Sequence, residues 1–322
     1  MNVTVIGSGA FGFAIAMMLH KNGNKITMWT HSAELAKNFN EKKAEIISGV
    51  KIPEEFYFTN SYEEALKNSE IVFIMVAAKY VGDVAKNIAE YTKPNTHFCI
   101  GSKGIEQGSC KFVHQIFKDY INTKNFAVIS GPSFAVDVVN NEPIGFALAS
   151  DSYKTKVMVI KALASDTIKL RPSSDMIGIE ICGSIKNVVA VASGILEGLG
   201  YSESTRAFLI VESMHDIKEL IKGLGGKKKT ILSFAGIGDL LLTCTSIKSR
   251  NYSYGILLGK KDYKGAKKYL DTTTVEGYYT LKSIYTLLRR KKIKMPLIDL
   301  IYKIVMKNDD PGLLIKFLIT KK

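Results

Sequence analysis

Arginine is scarce in this chain. Of 44 basic residues only five are arginines, at Arg171, Arg206, Arg250, Arg289 and Arg290. Against 30 acidic residues the formal net charge is +14. Reading of base edges in nucleic-acid grooves leans on arginine. A lysine-dominated surplus instead reads as a solvated surface whose field attracts anions such as phosphates, so no nucleic-acid partner is expected. The densest basic runs, Lys227-Lys228-Lys229 and Arg289-Arg290-Lys291-Lys292, are short and read as exposed helix ends or loops. Cysteine is also sparse. Cys99, Cys110, Cys182 and Cys244 form no CxxC pair, and the five histidines (His20, His31, His97, His114, His215) show no HxxxH or HExxH spacing. That argues against a structural zinc site and a disulfide framework; no metal is expected. Idle thiols suit a reducing cytoplasm. Long apolar runs are missing. The longest unbroken one, Ile71 to Ala78, has eight residues, whereas a membrane-spanning helix needs about 18–20. The chain enters a strand-like segment at Val3-Thr4-Val5-Ile6 with no basic region ahead of an apolar one, so neither a membrane span nor a secretory leader is expected.

What is present has two grammars. A length of 322 residues with 46% apolar and 23% charged residues suffices for two domains with sizeable cores. Up to residue 174, short β-branched runs alternate with helical stretches. Strands are expected at Val3–Ile6, Lys25–Trp29, Phe56–Thr59, Ile71–Val76, His97–Ile100, Phe126–Ile129, Ile144–Ala149 and Thr167–Leu170. Several are apolar on both faces, as buried parallel strands are. Ser61 followed by Glu64 reads as a capping box at a helix start. The alternation predicts a doubly wound α/β sheet of Rossmann type over residues 1–174. From 175 to 322 strand signals vanish. Helices are expected at Met176–Gly198, Ser202–Gly223, Ser246–Leu258, Glu276–Arg290 and Pro296–Met306, giving an all-helical second domain.

Gly7-Ser8-Gly9-Ala10-Phe11-Gly12 matches G-x-G-x-x-G, directly after the first strand and at the opening of an apolar helix. Gly7 allows the tight turn, Gly9 lets the backbone approach a pyrophosphate, and Gly12 lets helix and strand pack closely. The pyrophosphate then meets free amides at the positive end of the helix. An NAD-selective site usually carries an acidic residue after the second strand, on the ribose 2′-hydroxyl. Here Thr30 and His31 stand there instead. With no carboxylate to repel a 2′-phosphate, NADP(H) use, or use of both NADP(H) and NAD(H), is expected, with His31 against the adenine or the 2′-phosphate.

Five further stretches are dense in small, polar and basic residues: Gly101-Ser102-Lys103-Gly104-Ile105-Glu106, Ser130-Gly131-Pro132-Ser133-Phe134-Ala135, Gly183-Ser184-Ile185-Lys186-Asn187-Val188, Ala235-Gly236-Ile237-Gly238-Asp239-Leu240, and Cys244 to Asn251. The first two follow expected strands, at whose carboxyl ends doubly wound sheets bind ligands. Together with Gly194–Gly200, Val275-Glu276-Gly277 and Met295-Pro296, they make the whole chain resemble bacterial-type NAD(P)-dependent glycerol-3-phosphate dehydrogenases. The resemblance implies a Rossmann domain followed by an all-α domain of 6-phosphogluconate-dehydrogenase-like type. It also implies reversible hydride transfer between NAD(P)H and dihydroxyacetone phosphate, giving sn-glycerol 3-phosphate for phospholipid synthesis. A cytoplasmic enzyme, and a homodimer, are expected on the same analogy.

Hydride arriving at a ketone leaves charge on oxygen, so a proton donor must lie within reach. No histidine has a suitable setting. Lys186 has one: a helix with Gly183 and Ala190 as small neighbours. Lys103, if the fold brings it near, would lower the pKa of Lys186 together with burial. The resemblance makes Lys186 the catalytic proton donor and acceptor. Asp239, set among leucines, needs a partner or else caps a helix; the family reading has it hold the lysine and accept from a substrate hydroxyl. Arg250, between Ser249 and Asn251, suits a phosphate. By resemblance Lys103, Gly131, Ser133, Lys186, Asn187, Asp239, Ser249, Arg250 and Asn251 bind substrate. On the same basis Gly7, Gly9, Ala10, Phe11, Gly12, His31, Lys103, Ala135, Arg250, Thr274 and Glu276 bind the cofactor. Where the family commonly has Val-Pro-Ser the chain reads Val76-Ala77-Ala78-Lys79, and Phe11 replaces a usual Trp or Tyr. A related 3-hydroxyacid or sugar-acid dehydrogenase, which shares a Lys-Asn helix, is the alternative, and the Ser-Arg-Asn cluster weighs against it.

Overall fold

The computed structural model describes residues 1–321. Lys322, the last residue of the expected second domain, lies outside the described residues. The chain divides into two compact units. One comprises Met1–Ser102 with Val113–Met176; the other comprises Lys103–Phe112 with Ile177 and the chain beyond it. The short segment after residue 102 thus belongs to the helical unit although it lies within the α/β half of the sequence.

The first unit runs β1 (Asn2–Ile6), α1 (Ala10–Lys21), β2 (Lys25–Trp29), α2 (Ala33–Asn40), β3 (Tyr57–Thr59), α3 (Tyr62–Leu66), β4 (Ile71–Ile74), α4 (Val81–Ile88), β5 (His97–Ile100), α5 (Val113–Tyr120), β6 (Phe126–Ser130), α6 (Ala135–Val139), β7 (Ile144–Ala149), α7 (Tyr153–Leu163) and β8 (Ile168–Ser173). All eight strands join one sheet in the order β3-β2-β1-β4-β5-β6-β7-β8. Every pairing is parallel except β6 with β7. The link between those two holds only the five-residue α6, and the chain turns back instead of crossing over. β4 and β5 are buried at every position because helices cover both faces. Phe13, Phe58, Phe73, Phe98, Phe117, Phe126 and Phe146 are the largest fully buried side chains. Each stabilises the unit by about 1.5–3 kcal/mol through burial. Ile6 pairs with Ile74, and Ile74 with Ile100, so the carboxyl ends of β1, β4 and β5 are level. The capping box forms only in part. Ser61 Oγ accepts from the Glu64 amide, but the Glu64 carboxylate turns to the hydroxyls of Thr59 and Tyr57, and Thr59 Oγ1 accepts from the Ser61 amide.

The second unit contains α8 (Met176–Gly198), α9 (Glu203–Gly223), α10 (Asp239–Cys244), α11 (Arg250–Gly259), α12 (Tyr263–Thr272), α13 (Glu276–Lys291), α14 (Pro296–Lys307) and α15 (Leu313–Thr320). α8 has 23 residues and is long and apolar enough to cross a membrane by length and composition. Counting unbroken apolar runs misses it because Glu180 and Lys186 interrupt the sequence. Its apolar window is entirely buried within the protein, as a central core helix requires. It meets α11 through glycines. A Cβ at Gly194 would sit 2.0 Å from the Tyr252 carbonyl oxygen, and one at Gly255 would sit 2.1 Å from that of Val191. α11 starts at Arg250 and not at Ser246, because Ser249 Oγ accepts from the Tyr252 amide and caps the helix there.

Candidate functional site

In the first unit the glycine turn links β1 to α1. Gly7 has φ +114°, and a Cβ there would lie 2.8 Å from the Met75 carbonyl oxygen. A Cβ on Gly12 would fall 2.1 Å from the Gly7 carbonyl oxygen. Packing therefore accounts for these two glycines. Gly9 is different: apart from its own chain neighbours, no atom of the protein lies within 4 Å of a Cβ placed on it. It is the N-cap of α1, which opens with Ala10 and Phe11, has no side-chain cap and carries no acidic residue in its first turn. An uncapped helix N-terminus behind an open glycine suits an anion brought close to the backbone. The residues present thus fit a dinucleotide.

Thr30 follows β2, is buried, and its Oγ1 accepts from Ser8 Oγ at 2.8 Å. That bond pins the turn to the end of β2. His31 is exposed. After β6, Gly131 backs onto β7, where a Cβ would come 2.2 Å from the Gly145 carbonyl oxygen. Ser133 Oγ donates to the Gly131 carbonyl at 3.1 Å, and Ala135 opens α6. After β4 the chain reads Val76-Ala77-Ala78-Lys79 and makes a 3-10 turn with Ala77 as N-cap, with Lys79 Nζ over the Tyr80 ring.

In the second unit one carboxylate organises the chemistry. A tight kinked turn over Phe234–Gly238 ends where α10 begins, putting Asp239 in the first helical turn. Asp239 is 1% exposed. Its Oδ1 accepts from Lys186 Nζ at 2.8 Å and its Oδ2 from Lys103 Nζ at 2.7 Å. Lys186 Nζ also donates to Thr243 Oγ1 at 2.8 Å, and that hydroxyl donates to the Asp239 carbonyl oxygen one helical turn back. Two of the three protons on Lys186 are held in this way. The third has no protein acceptor among the described residues.

Burial pushes the pKa of Lys186 down to about 8; Asp239 pulls it back up and Lys103 lowers it further. Burial would raise the Asp239 pKa, but the two ammonium groups outweigh it and hold the carboxyl below its ordinary value.

A second network lies one residue along α8. The Gly277 amide donates to Asn251 Oδ1 at 2.8 Å, and Asn251 Nδ2 donates to Asn187 Oδ1 at 3.0 Å. A backbone N–H can only donate, so it fixes the orientation of both amides. The Asn187 Nδ2 group is thereby left as a donor. A Cβ at Gly277 would sit 2.4 Å from the Asn187 carbonyl oxygen, so only glycine lets the start of α13 approach this closely.

The structure thus brings Lys103, Lys186 and Asp239 together, and joins Asn187 to Asn251 with Glu276 next to the amide that orients them. Ser249 is buried with its oxygen used as a helix cap. Arg250, at the first position of α11, is exposed, and its guanidinium has no acidic partner among the described residues; Thr274 is exposed too. Thr243 was not anticipated. Its position four residues after Asp239 on one helix face was the available signal.

A glycine-turn nucleotide unit followed by a helical unit with a carboxylate-held lysine defines the class of two-unit dinucleotide-dependent dehydrogenases. Residues 2–156 match the N-terminus, and 175–316 the C-terminus, of NAD-dependent glycerol-3-phosphate dehydrogenase. A relative from Thermoanaerobacter sp. (strain X514) is 36% identical over 100% of this chain and 97% of its own length. One from Clostridium tetani is 31% identical over 99% and 92%. Both are named glycerol-3-phosphate dehydrogenase (NAD(P)+). The crystal structure of glycerol-3-phosphate dehydrogenase from Coxiella burnetii is similar with TM-score 0.93 and 29% identity over 99% of both chains. The chain belongs to the NAD-dependent glycerol-3-phosphate dehydrogenase family.

Proposed function

We propose that the chain catalyses the reversible reduction of dihydroxyacetone phosphate to sn-glycerol 3-phosphate with NADPH or NADH. The observation that carries the reading is the buried Lys186, held by Asp239 and Thr243 and lowered to a pKa of about 8. An acid poised near the working pH transfers protons in both directions. Gly7, Gly9, Ala10, Phe11, Gly12, His31 and Ala135 hold the dinucleotide, joined by Lys103, Arg250, Thr274 and Glu276. When bound, the reduced nicotinamide supplies a hydride to the carbonyl carbon. Lys186 donates its third, unheld proton to the carbonyl oxygen as charge develops there, and takes the proton back in the reverse direction. Asp239 keeps the ammonium aimed and protonated. Arg250 and Asn251 bind the phosphate, with Asn187 Nδ2, Lys103, Gly131, Ser133 and Ser249 as further substrate contacts. The match of a planar guanidinium to a phosphate favours this substrate over a short hydroxyacid.

In the same reading the protein works in the cytoplasm as a homodimer, supplies phospholipid synthesis, and has no nucleic-acid partner. Its four buried cysteines and the exposed Phe208 and Val211 on α9 support the location and the dimer. The test follows the reduced-nicotinamide absorbance with dihydroxyacetone phosphate, with a short β-keto acid, and with each dinucleotide in turn. Lys186→Ala lowers kcat by about 10²–10⁴-fold with cofactor affinity intact. Near-normal turnover in that variant, or preference for the keto acid, overturns the reading.

A further inference from the structure

The two densest basic runs of the sequence are far apart along the chain and take no part in the chemistry above. The second unit brings them together. α9 ends at Gly223 and α13 at Lys291, and a Cβ on Gly223 would touch the Ile293 side chain at 3.2 Å. Residues 218–229 and 289–294 thereby form one corner with ten basic residues and a single acidic one, Glu219. Glu219 pairs with Lys228. Lys222, Lys227, Lys229, Arg289, Arg290, Lys291, Lys292 and Lys294 are exposed. Compensation of the helix dipoles explains charges in the last turns of α9 and α13. It does not explain Lys227, Lys229, Lys292 and Lys294, which lie beyond those turns.

One further feature separates the anionic partners this corner could meet. The turn carrying Lys228 and Lys229 ends at Leu232, a residue that is 69% exposed. An apolar tip beside lysines suits an interface in which headgroup phosphates meet the ammonium groups and the tip enters the acyl boundary. Nucleic acid would be served by arginines and open aromatic faces. Here only two of the ten are arginines. The nearby aromatics are engaged: Tyr285 stacks on Tyr302 at 3.7 Å between centroids, and Arg289 covers the Tyr285 ring.

We propose that this corner is a docking surface for anionic lipid bilayers, binding peripherally and reversibly. The test is co-sedimentation of the full chain with vesicles of phosphatidylglycerol and phosphatidylcholine, and with phosphatidylcholine alone, at 0.05 and 0.3 M salt. Binding to the anionic vesicles at low salt, weakened at high salt and absent on the neutral ones, is expected. Changing Lys222, Lys229, Lys291 and Lys294 together to Gln lowers the partition coefficient by about 10²–10³-fold. Leu232→Ser lowers it about tenfold at either salt concentration. Dehydrogenase activity in solution stays unchanged in both variants, which shows that they fold. Failure to sediment with anionic vesicles overturns the proposal, as does equal binding by the fourfold variant. Tighter binding to duplex DNA or RNA than to vesicles, indifferent to Leu232→Ser, assigns the corner to nucleic acid and also overturns it.

Discussion

Replacing Asp239 by Asn keeps the size of the side chain and removes its charge, which separates the carboxylate's electrostatic part from its shape. In the native protein Lys186 has a pKa of about 8 because burial and Lys103 lower it while Asp239 raises it. Without the carboxylate, two lysines face a neutral amide, with Nζ atoms that were 2.8 and 2.7 Å from its oxygens. Loss of a neighbouring opposite charge shifts a pKa by about 1–3 units. The sign is downward for lysine, because the charged form has lost its partner. The Lys186 pKa should then fall to about 5–7. At pH 7.5 the protonated fraction drops from about three quarters to between a quarter and under one hundredth. In the proposed mechanism, reduction of the ketone requires the protonated lysine. Its kcat/KM, which reports the free enzyme, should fall as pH rises through about 8 in the native protein. In Asp239→Asn the same fall should occur one to three units lower (~1–3 by the same shift). The assay is initial-rate reduction of dihydroxyacetone phosphate across pH 5–10 at low substrate. An alkaline limb that stays in place in Asp239→Asn refutes the claim that this carboxylate keeps the proton on Lys186.

Arg250→Lys keeps the charge and loses the fork, so KM for the phosphorylated ketone should rise about tenfold while kcat changes little; an unchanged KM removes Arg250 from the phosphate. Gly12→Ala should abolish dinucleotide binding in a fluorescence titration, because its Cβ would meet the Gly7 carbonyl oxygen at 2.1 Å. Gly9→Ala should leave the melting temperature unaltered but weaken the dinucleotide at least tenfold, since nothing in the protein contests that space. Equal thermal loss in the two glycine variants would contradict the different reasons given for them.

The strands were legible because a sheet covered on both faces demands unbroken apolar runs, and Ile71-Val72-Phe73-Ile74 is buried at every position. Two of the missed helices, α10 and α12, have physical reasons. α10 spans six residues, too few to show a period. α12, with Tyr263-Lys264-Gly265-Ala266-Lys267-Lys268, buries one residue, Ala266. The reversal at β7 was hidden because an apolar strand reads the same in either direction. Membership of Lys103–Phe112 in the helical unit was hidden as well. Those residues follow a parallel strand and carry no periodic pattern of their own, so tertiary contacts alone decide where they belong.

Motif position pointed to Lys186 and Asp239, but the charge arithmetic needed coordinates. One carboxylate lies between two ammonium groups in a largely buried cluster. Burial makes the ammonium form of Lys186 unfavourable, Lys103 adds to this, and the lowered pKa of Lys186 is how the protein expresses it although Asp239 pulls the other way. In the proposed mechanism the ketone oxygen gains negative charge beside these cations as it becomes an alkoxide. The cations are then stabilised more in the transition state than in the free protein, which is the condition for lowering a barrier and not merely for binding. On that mechanism Thr243 keeps Lys186 from relaxing away from the substrate oxygen, because its hydroxyl is itself anchored to the Asp239 carbonyl.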